Sequence, residues 1–370
     1  MTTKAGYKTI YNTLKSQIEE RQIPYGTVLP TESETAARYN VSRPTVAKVY
    51  DMLQEEGYVK KKPRSGTTVI YNNTERRYTF GLLLPGAGES EIFSIINDKF
   101  LEYSRNGDFN CLWEGATAGN AQIRKSLIDK CCEHYVQQKI DGVFFSPLER
   151  VPDAAELNLS VCQRFVSADI PIVLIDRDIF RFPGRSGFDL VGIDNYMAGY
   201  QMGRHLIENG CQRIYFFWRP DSAYSVELRR AGVRAAVQDS GLAFEPKHSM
   251  CGDPAHKDFV GMIETKKCRT GIVCANDSTA AALMSTLDEF RIIPGANIAV
   301  CGYDDMKYAK YLKYPLTSYR QPCEAIGETA IELMMRRMAN PAAMPITVYL
   351  PGKIIERESS RLIWTDTEDI

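Results

Sequence analysis

Residues 29–59 read LPTESETAARYNVSRPTVAKVYDMLQEEGYV, the pattern of two short helices joined by a tight turn. Thr31-Glu32-Ser33-Glu34 has the form of a capping box, in which Thr31 caps a helix start and Glu34 reaches back to it. The helix so opened runs to Tyr39, where Asn40 permits the left-handed backbone that ends it. Ser42 stands as a second N-cap, with Pro44 in the first turn of the next helix. Val46, Val49, Tyr50 and Leu53 give that helix one apolar stripe, and Gly57 stops it. Upstream, Tyr7, Ile10, Tyr11, Leu14 and Ile18 repeat at helical spacing over residues 7–21, before the break at Ile23-Pro24-Tyr25-Gly26. Downstream, Tyr58-Val59-Lys60 and Thr67-Thr68-Val69-Ile70 alternate as two strands around Lys62-Pro63-Arg64-Ser65-Gly66. Three helices followed by a hairpin predict a winged helix-turn-helix over residues 1–71.

Residues 72–78 are polar, with Asn72-Asn73-Thr74 in the middle, and read as an interdomain linker. From residue 79 to 370 the pattern changes. Apolar runs alternate with helical stretches at residues 78–85, 111–114, 142–146, 172–176, 190–194, 214–218, 271–275 and 298–302. Apolar runs separated by helices predict parallel sheets covered on both faces. The runs are too many for one sheet, so the predicted class is α/β, with two lobes, a cleft between them and an N-terminal winged head.

Composition agrees. The chain has 370 residues, 44% hydrophobic and 25% charged, as in soluble globular proteins. No apolar run approaches the ~20 residues of a membrane span. The opening MTTKAGYKTIYNTLKSQ has no apolar core of a signal peptide, which places the chain in the cytoplasm, with no membrane partner. The ten cysteines are then thiols. Cys131 and Cys132 are adjacent, and Cys274 and Cys301 sit in apolar runs, with no CxxC pair or cysteine–histidine cluster. That predicts no metal, and no cofactor motif is present. Residues 1–77 carry 13 Lys and Arg against 8 Asp and Glu, although the whole chain is at −1. A basic head on an acidic body suits a polyanionic partner.

In a winged head the third helix enters the major groove by its N-terminal end. Its apolar stripe leaves Arg43, Thr45, Ala47 and Lys48 for the groove, and Arg43 can read guanine with its fork. Lys60, Lys61, Lys62 and Arg64 place positive charge on the wing, suited to phosphate. The blocks Leu29–Glu34, Val41–Val46, Leu53–Val59 and Gly66-Thr67 together resemble a GntR-family DNA-binding domain over roughly residues 5–71. The resemblance implies a double-stranded DNA operator as partner and Arg43, Thr45, Lys48, Lys61, Arg64 and Gly66 as contacts. The chain departs from the family at Ser33, where arginine is usual, and at Ala47, where a basic residue is usual, with Lys48 beside it.

The body resembles the effector-binding domain of the LacI/GalR family, itself similar to periplasmic sugar-binding proteins. The matching pieces are Ile172–Arg177, Val191–Asn195 with Gly199 and Gly203, Arg229–Gly232, Ala275-Asn276-Asp277, Val300–Asp305, Pro315-Leu316-Thr317 and Gln321-Pro322. In open α/β sheets ligands bind beyond the carboxyl ends of strands, where Asp176, Asn276 and Asp304 fall. A polyol needs such carboxylates as acceptors and an arginine or asparagine as donor. By resemblance, Arg229 occupies the family's effector-contacting position. Phe93 and Tyr224 are candidate rings for a sugar face, while Trp218 is assigned to core packing. Asp277 is read as the cap of a helix starting at Ser278. The loop Pro85–Phe93 is longer and more acidic than the family's, with Glu89 and Glu91 in reach of an effector. Its Gly86-Ala87-Gly88 lacks the third glycine of a dinucleotide fingerprint. The pairing of the two parts resembles in architecture the arabinose repressors of Gram-positive bacteria and leaves the sugar open.

Three other classes compete with this reading. An enzyme is disfavoured: there is no GxSxG elbow, P-loop or HExxH, and the four histidines form no constellation. A solute-binding protein for transport does not explain the winged head. A regulator sensing a nucleoside, nucleobase or sugar phosphate differs only in the cleft, where the acidic candidates favour a neutral sugar. The expectation is a homodimeric repressor that a small effector releases from DNA, with residues 72–78 in place of the family's hinge helix.

Overall fold

The computed structural model describes residues 6–19, 22–62, 66–71, 77–85, 91–114, 121–149, 151, 153–265, 268–296 and 298–361. Residues up to Tyr78 fall in one compact unit, with the short segments Arg105–Asn110 and Met335–Ala343, and the remainder forms a second.

The head runs α1 (Tyr7–Glu19), β1 (Val28–Leu29), α2 (Glu32–Tyr39), α3 (Arg43–Glu55), β2 (Val59–Lys62) and β3 (Gly66–Val69). Ile10, Leu14 and Ile18 of α1 and Val46, Val49, Tyr50 and Leu53 of α3 meet in one buried cluster with Leu29, Val59 and Val69. The capping box of α2 is present: the Glu34 N–H donates to Thr31 Oγ1 at 3.3 Å, and the Thr31 N–H to Glu34 Oε2 at 2.8 Å. Asn40 ends the helix at φ 53°. Ser42 holds the N-cap position of α3, but its hydroxyl bonds Thr45 Oγ1 at 2.7 Å instead of a backbone N–H, so its expected capping bond is not made. The buried Tyr50 hydroxyl donates to the Pro30 carbonyl at 2.7 Å, which satisfies it. β1 pairs antiparallel with β3, and β3 with β2. Two residues are too few for alternation, so β1 left no mark in the pattern.

The body continues β4 (Thr79–Leu83), α4 (Glu91–Asn106), β5 (Asn110–Trp113), α5 (Ala121–Gln137), β6 (Gly142–Phe145), α6 (Ala154–Ser167), β7 (Ile172–Ile175), β8 (Asp189–Gly192) and α7 (Asn195–Glu208). Then come β9 (Arg213–Trp218), α8 (Tyr224–Asp239), β10 (Ser249–Cys251), α9 (Asp258–Met262), β11 (Thr270–Cys274), α10 (Asp277–Glu289), β12 (Ala299–Tyr303) and β13 (Thr317–Arg320). The last elements are α11 (Cys323–Ala339), β14 (Thr347–Tyr349) and β15 (Lys353–Ile355).

These strands form two six-stranded sheets, ordered β14-β8-β7-β6-β4-β5 and β10-β9-β11-β12-β13-β15. Pairing is parallel from β14 through β4 and from β10 through β13, and β15 runs antiparallel to β13. Strands such as Ile172–Ile175 are buried on both faces, as their unbroken apolar runs require. The chain passes between the sheets from β8 to β9, from β13 to β14 and from β14 to β15. Among the described residues no helix is long and apolar enough to cross a membrane.

Candidate DNA-contact surface and effector cleft

Arg43 is the first residue of α3, and its side chain is 71% exposed. Its Nε donates to Glu32 Oε2 at 3.1 Å. Lys61 on β2 lies 2.5 Å from Asp51 Oδ1 and 3.7 Å from Glu32 Oε1. Two of the expected DNA contacts therefore share Glu32 as a carboxylate partner. Exposed pairs of this kind contribute about 0–1 kcal/mol, which leaves both cations available to a phosphate or base. Lys48 is exposed, with Nζ 4.2 Å from the centroid of the Tyr7 ring. Thr45 is half-buried and held by Ser42. Gly66 opens β3 at φ +86°, a conformation that an L side chain rarely adopts. Arg64 lies outside the described residues.

In the body, Phe93, Asp176, Arg229, Asn276 and Asp304 line one cavity of about 240 Å³. Each comes from a different element. Asp176 follows β7 and Asp304 follows β12, both with positive φ, at 75° and 103°. Asn276 caps α10: its Oδ1 accepts the Thr279 N–H at 2.9 Å and the Ser278 hydroxyl at 3.0 Å. The amide nitrogen of Asn276 is left as the donor for a ligand. Asp277 is therefore not the cap. The helix starts one residue earlier than expected, and Asp277 is fully buried inside it.

Arg229 is placed by close helix packing. A Cβ on Gly199 of α7 would meet the Arg229 carbonyl at 2.0 Å, and one on Gly232 of α8 would meet the Tyr196 carbonyl at 2.0 Å. Only glycines let the two backbones approach so far. The buried guanidinium donates from Nε to Asn195 Oδ1 at 2.8 Å and from Nη1 to the Ala275 carbonyl at 2.7 Å. It stacks 4.5 Å from the centroid of the Tyr303 ring. Asp304 accepts Gln321 Nε2 at 2.8 Å. Burial pushes the Asp304 carboxyl up, and the Arg229 charge opposes that shift.

Sequence reading missed several lining residues: Arg124, Ser146, Glu149, Arg177, Tyr308 and Gln321. Ser146, Arg177 and Gln321 had a signal. Ser146 follows the carboxyl end of a recognised strand, and Arg177 and Gln321 lie in quoted family blocks. Ser146 Oγ and Gln321 Oε1 are buried and have no hydrogen-bond partner among the described residues. Arg177 donates from Nε to the Pro147 carbonyl at 2.9 Å and from Nη1 to Asp176 Oδ2 at 2.9 Å, and Glu149 lies 3.6 Å away. Three guanidinium groups thus face three carboxylates around the cavity.

Tyr224 does not line this cavity. With Leu228 of α8 it lines an adjoining cavity of about 400 Å³ that shares Asp176, Arg177 and Ser225 with the first and adds Phe182, Tyr196 and Tyr349. Trp218, assigned to the core, is half-buried at the end of β9 with the Arg230 guanidinium 4.9 Å from its ring centroid. Glu91 is the first residue of α4, and its Oε2 accepts the Lys307 N–H at 2.6 Å. Glu89 and Gly86-Ala87-Gly88 lie outside the described residues. Among the described residues no group of three or more His, Cys, Asp or Glu could hold a metal ion.

Comparison with known proteins bears on both parts. Residues 6–69 match a family described as bacterial regulatory proteins, gntR family, and residues 204–360 match a periplasmic binding protein-like domain. The arabinose metabolism transcriptional repressor of Halalkalibacterium halodurans is 26% identical over 348 residues, covering 89% of each chain. The ribose operon repressor of Escherichia coli is 24% identical over 326 residues, 86% of this chain and 92% of that one. Among solved structures, a transcriptional regulator CelR–cellobiose complex superposes with TM-score 0.63 at 22% identity, over 90% of this chain and 100% of that one. A lac repressor dimer bound to operator gives TM-score 0.61 at 17% identity, over 77% and 94%. The chain is a DNA-binding transcription regulator that joins a gntR-family head to a periplasmic-binding-protein-like body.

Proposed function

We propose that this regulator is a cytoplasmic, homodimeric repressor whose hold on a double-stranded operator is released by a neutral sugar bound in the cleft. The observation that carries the reading is the donor and acceptor set around the cavity. Asp176 and Asp304 accept, Arg229 and Asn276 donate, and the unpaired Ser146 Oγ and Gln321 Oε1 await a partner. An unpaired buried polar atom costs about 1–3 kcal/mol, so a ligand carrying several hydroxyls gains by meeting them. Balanced guanidinium and carboxylate charges favour a neutral ligand over a phosphate. At about 240 Å³ the cavity falls below the ~300–1,000 Å³ of drug-sized sites and suits a monosaccharide. The Phe93 ring on its wall offers an apolar face for C–H surface. The relatives named for arabinose and ribose point to a pentose.

The DNA-contact assignment goes to Arg43, Thr45, Lys48, Lys61, Arg64 and Gly66, and rests on the exposure of Arg43 at the start of α3 and of Lys48 in its second turn. A dimer follows from the single recognition helix per chain, which reads one half-site.

The test is a thermal-shift panel of arabinose, ribose, cellobiose, a sugar phosphate and a nucleoside. A ligand at a hundred times its Kd stabilises the fold by about 2.7 kcal/mol. A neutral sugar should raise the melting temperature and the phosphate should not. A shift with the nucleoside alone would overturn the sugar reading.

A further inference from the structure

Asp304, the cleft carboxylate, stands on an unusual stretch of backbone. Asp304 and Asp305 both have positive φ, at 103° and 50°, so two successive non-glycine residues hold a conformation that L side chains disfavour. Such a turn persists only where the surroundings over-determine it.

The surroundings converge on Asp277. This carboxylate is fully buried and does not line the cavity. Its Oδ2 accepts the Met306 N–H at 2.8 Å. Its Oδ1 accepts the Ser318 hydroxyl at 2.6 Å. Ser318 Oγ in turn accepts the Asp305 N–H at 2.9 Å. Asp277 thus receives both amides that follow Asp304, one directly and one through Ser318. Even β12 makes room for it: a Cβ on Gly302 would lie 2.2 Å from Asp277 Oδ1. From the far side, Arg320 Nε and Arg357 Nη2 each donate to the Asp305 carboxylate at 2.6 Å.

We propose that Asp277 is a positioning residue for effector binding: through Met306 and Ser318 it fixes the turn that aims the Asp304 carboxylate into the cleft. The assignment rests on the reading of that cleft as the effector site. A plain helix-capping role is excluded by geometry, because Asn276 makes the capping bond. Both carboxylate oxygens accept in this arrangement. Asp277→Asn keeps the shape but replaces one acceptor with a donor, which must then face either the Met306 N–H or Ser318.

The test is hydrogen exchange on the full chain without ligand, at the amides of Asp305 and Met306, followed by titration with arabinose. Asp277→Asn should speed exchange at one or both amides at least tenfold while the Phe80–Leu83 strand stays protected. Ser318→Ala should speed Asp305 and leave Met306 protected by Asp277. The arabinose affinity of Asp277→Asn should fall at least tenfold. Unchanged exchange in either folded variant overturns the proposal, as does faster exchange with wild-type arabinose affinity. If Asp277→Asn does not fold, the one-amide signature of Ser318→Ala decides alone. Wild-type protein that binds no sugar of the panel sinks the effector reading instead, and the ligand-free exchange pattern still decides whether Asp277 anchors the turn.

Discussion

Arg229 does two jobs with one guanidinium. It ties α8 to Asn195 and to the end of β11, and it offers its remaining N–H groups to the cleft. Arg229→Ala should abolish the sugar-induced thermal shift and also lower stability by about 2–3 kcal/mol in urea, since it strands two buried acceptors and removes the stacking on Tyr303. Arg229→Lys should not rescue binding, because an ammonium cannot reproduce the fork. In the head, Glu32 sits between Arg43 and Lys61 and partly neutralises both. Glu32→Gln should therefore strengthen binding to DNA of any sequence and steepen its salt slope by about one, since removing one carboxylate charge leaves one more positive charge to neutralise phosphate. Arg43→Ala should cost about 1–3 kcal/mol on the operator if the fork reads a base. Binding isotherms at several salt concentrations measure both, and an Arg43 variant weakened equally on all sequences would make it a phosphate contact only.

At the scale of elements, the cleft depends on how closely α7 and α8 approach. Gly232→Ala would drive a methyl into the Tyr196 carbonyl, and the helices can accept it only by moving apart. Overpacking of this kind costs about 1–3 kcal/mol. The variant should lose sugar affinity with Arg229 intact, and urea denaturation with a sugar titration would show it; full affinity would mean that Arg229 does not need this helix contact. The glycines were visible in the sequence as family matches, but their reason was not, because backbone proximity across two helices leaves no local pattern. Strands were legible where they are apolar throughout, as at Ile172–Ile175 and Ala299–Tyr303. They were not legible at Thr317–Arg320, where Thr317 and Ser318 are buried for their hydrogen bonds, nor at the short Ser249–Cys251, Thr347–Tyr349 and Lys353–Ile355. The cleft acids were readable from their place after apolar runs. Asp277 was misread because adjacent Asn and Asp make equally good caps, and only the tertiary partner Ser318 separates them.

For the body as a whole, acid is a selective stress. Burial depresses the imidazole of His205, and of His248, below the ordinary histidine range. The folded state therefore binds fewer protons than the unfolded chain once the pH drops through about 6.5. The stability these neutral histidines allow is present above that pH and is lost progressively below it. His205→Gln should flatten the fall in melting temperature between pH 7 and pH 5; an unchanged slope would assign the acid sensitivity elsewhere.

The same body has contacts between its two sheets' elements that a ligand can favour or break. Glu91 reaches Lys307, Glu149 Oε2 accepts the Ala223 N–H at 3.1 Å, and Arg181 Nε meets Glu227 Oε2 at 2.6 Å. Each joins a residue from the β4–β8 half to one from the β9–β13 half. A sugar held by Asp176 on one side and Arg229 and Asp304 on the other adds to these bridges and favours the arrangement that has them. If that arrangement holds operator less well, the coupling works in both directions. Operator must then weaken sugar binding by the factor by which sugar weakens operator binding. A coupling of about 1–3 kcal/mol would make that factor roughly 5 to 150. Arg181→Ala and Glu227→Ala remove one exposed bridge, worth at most about 1 kcal/mol, so each should lower sugar affinity several-fold and no more. Calorimetric titration of arabinose into protein with and without saturating operator measures the factor from one side, and operator titration with and without arabinose measures it from the other. Equal sugar affinities in the presence and absence of operator would mean that the cleft does not control the head.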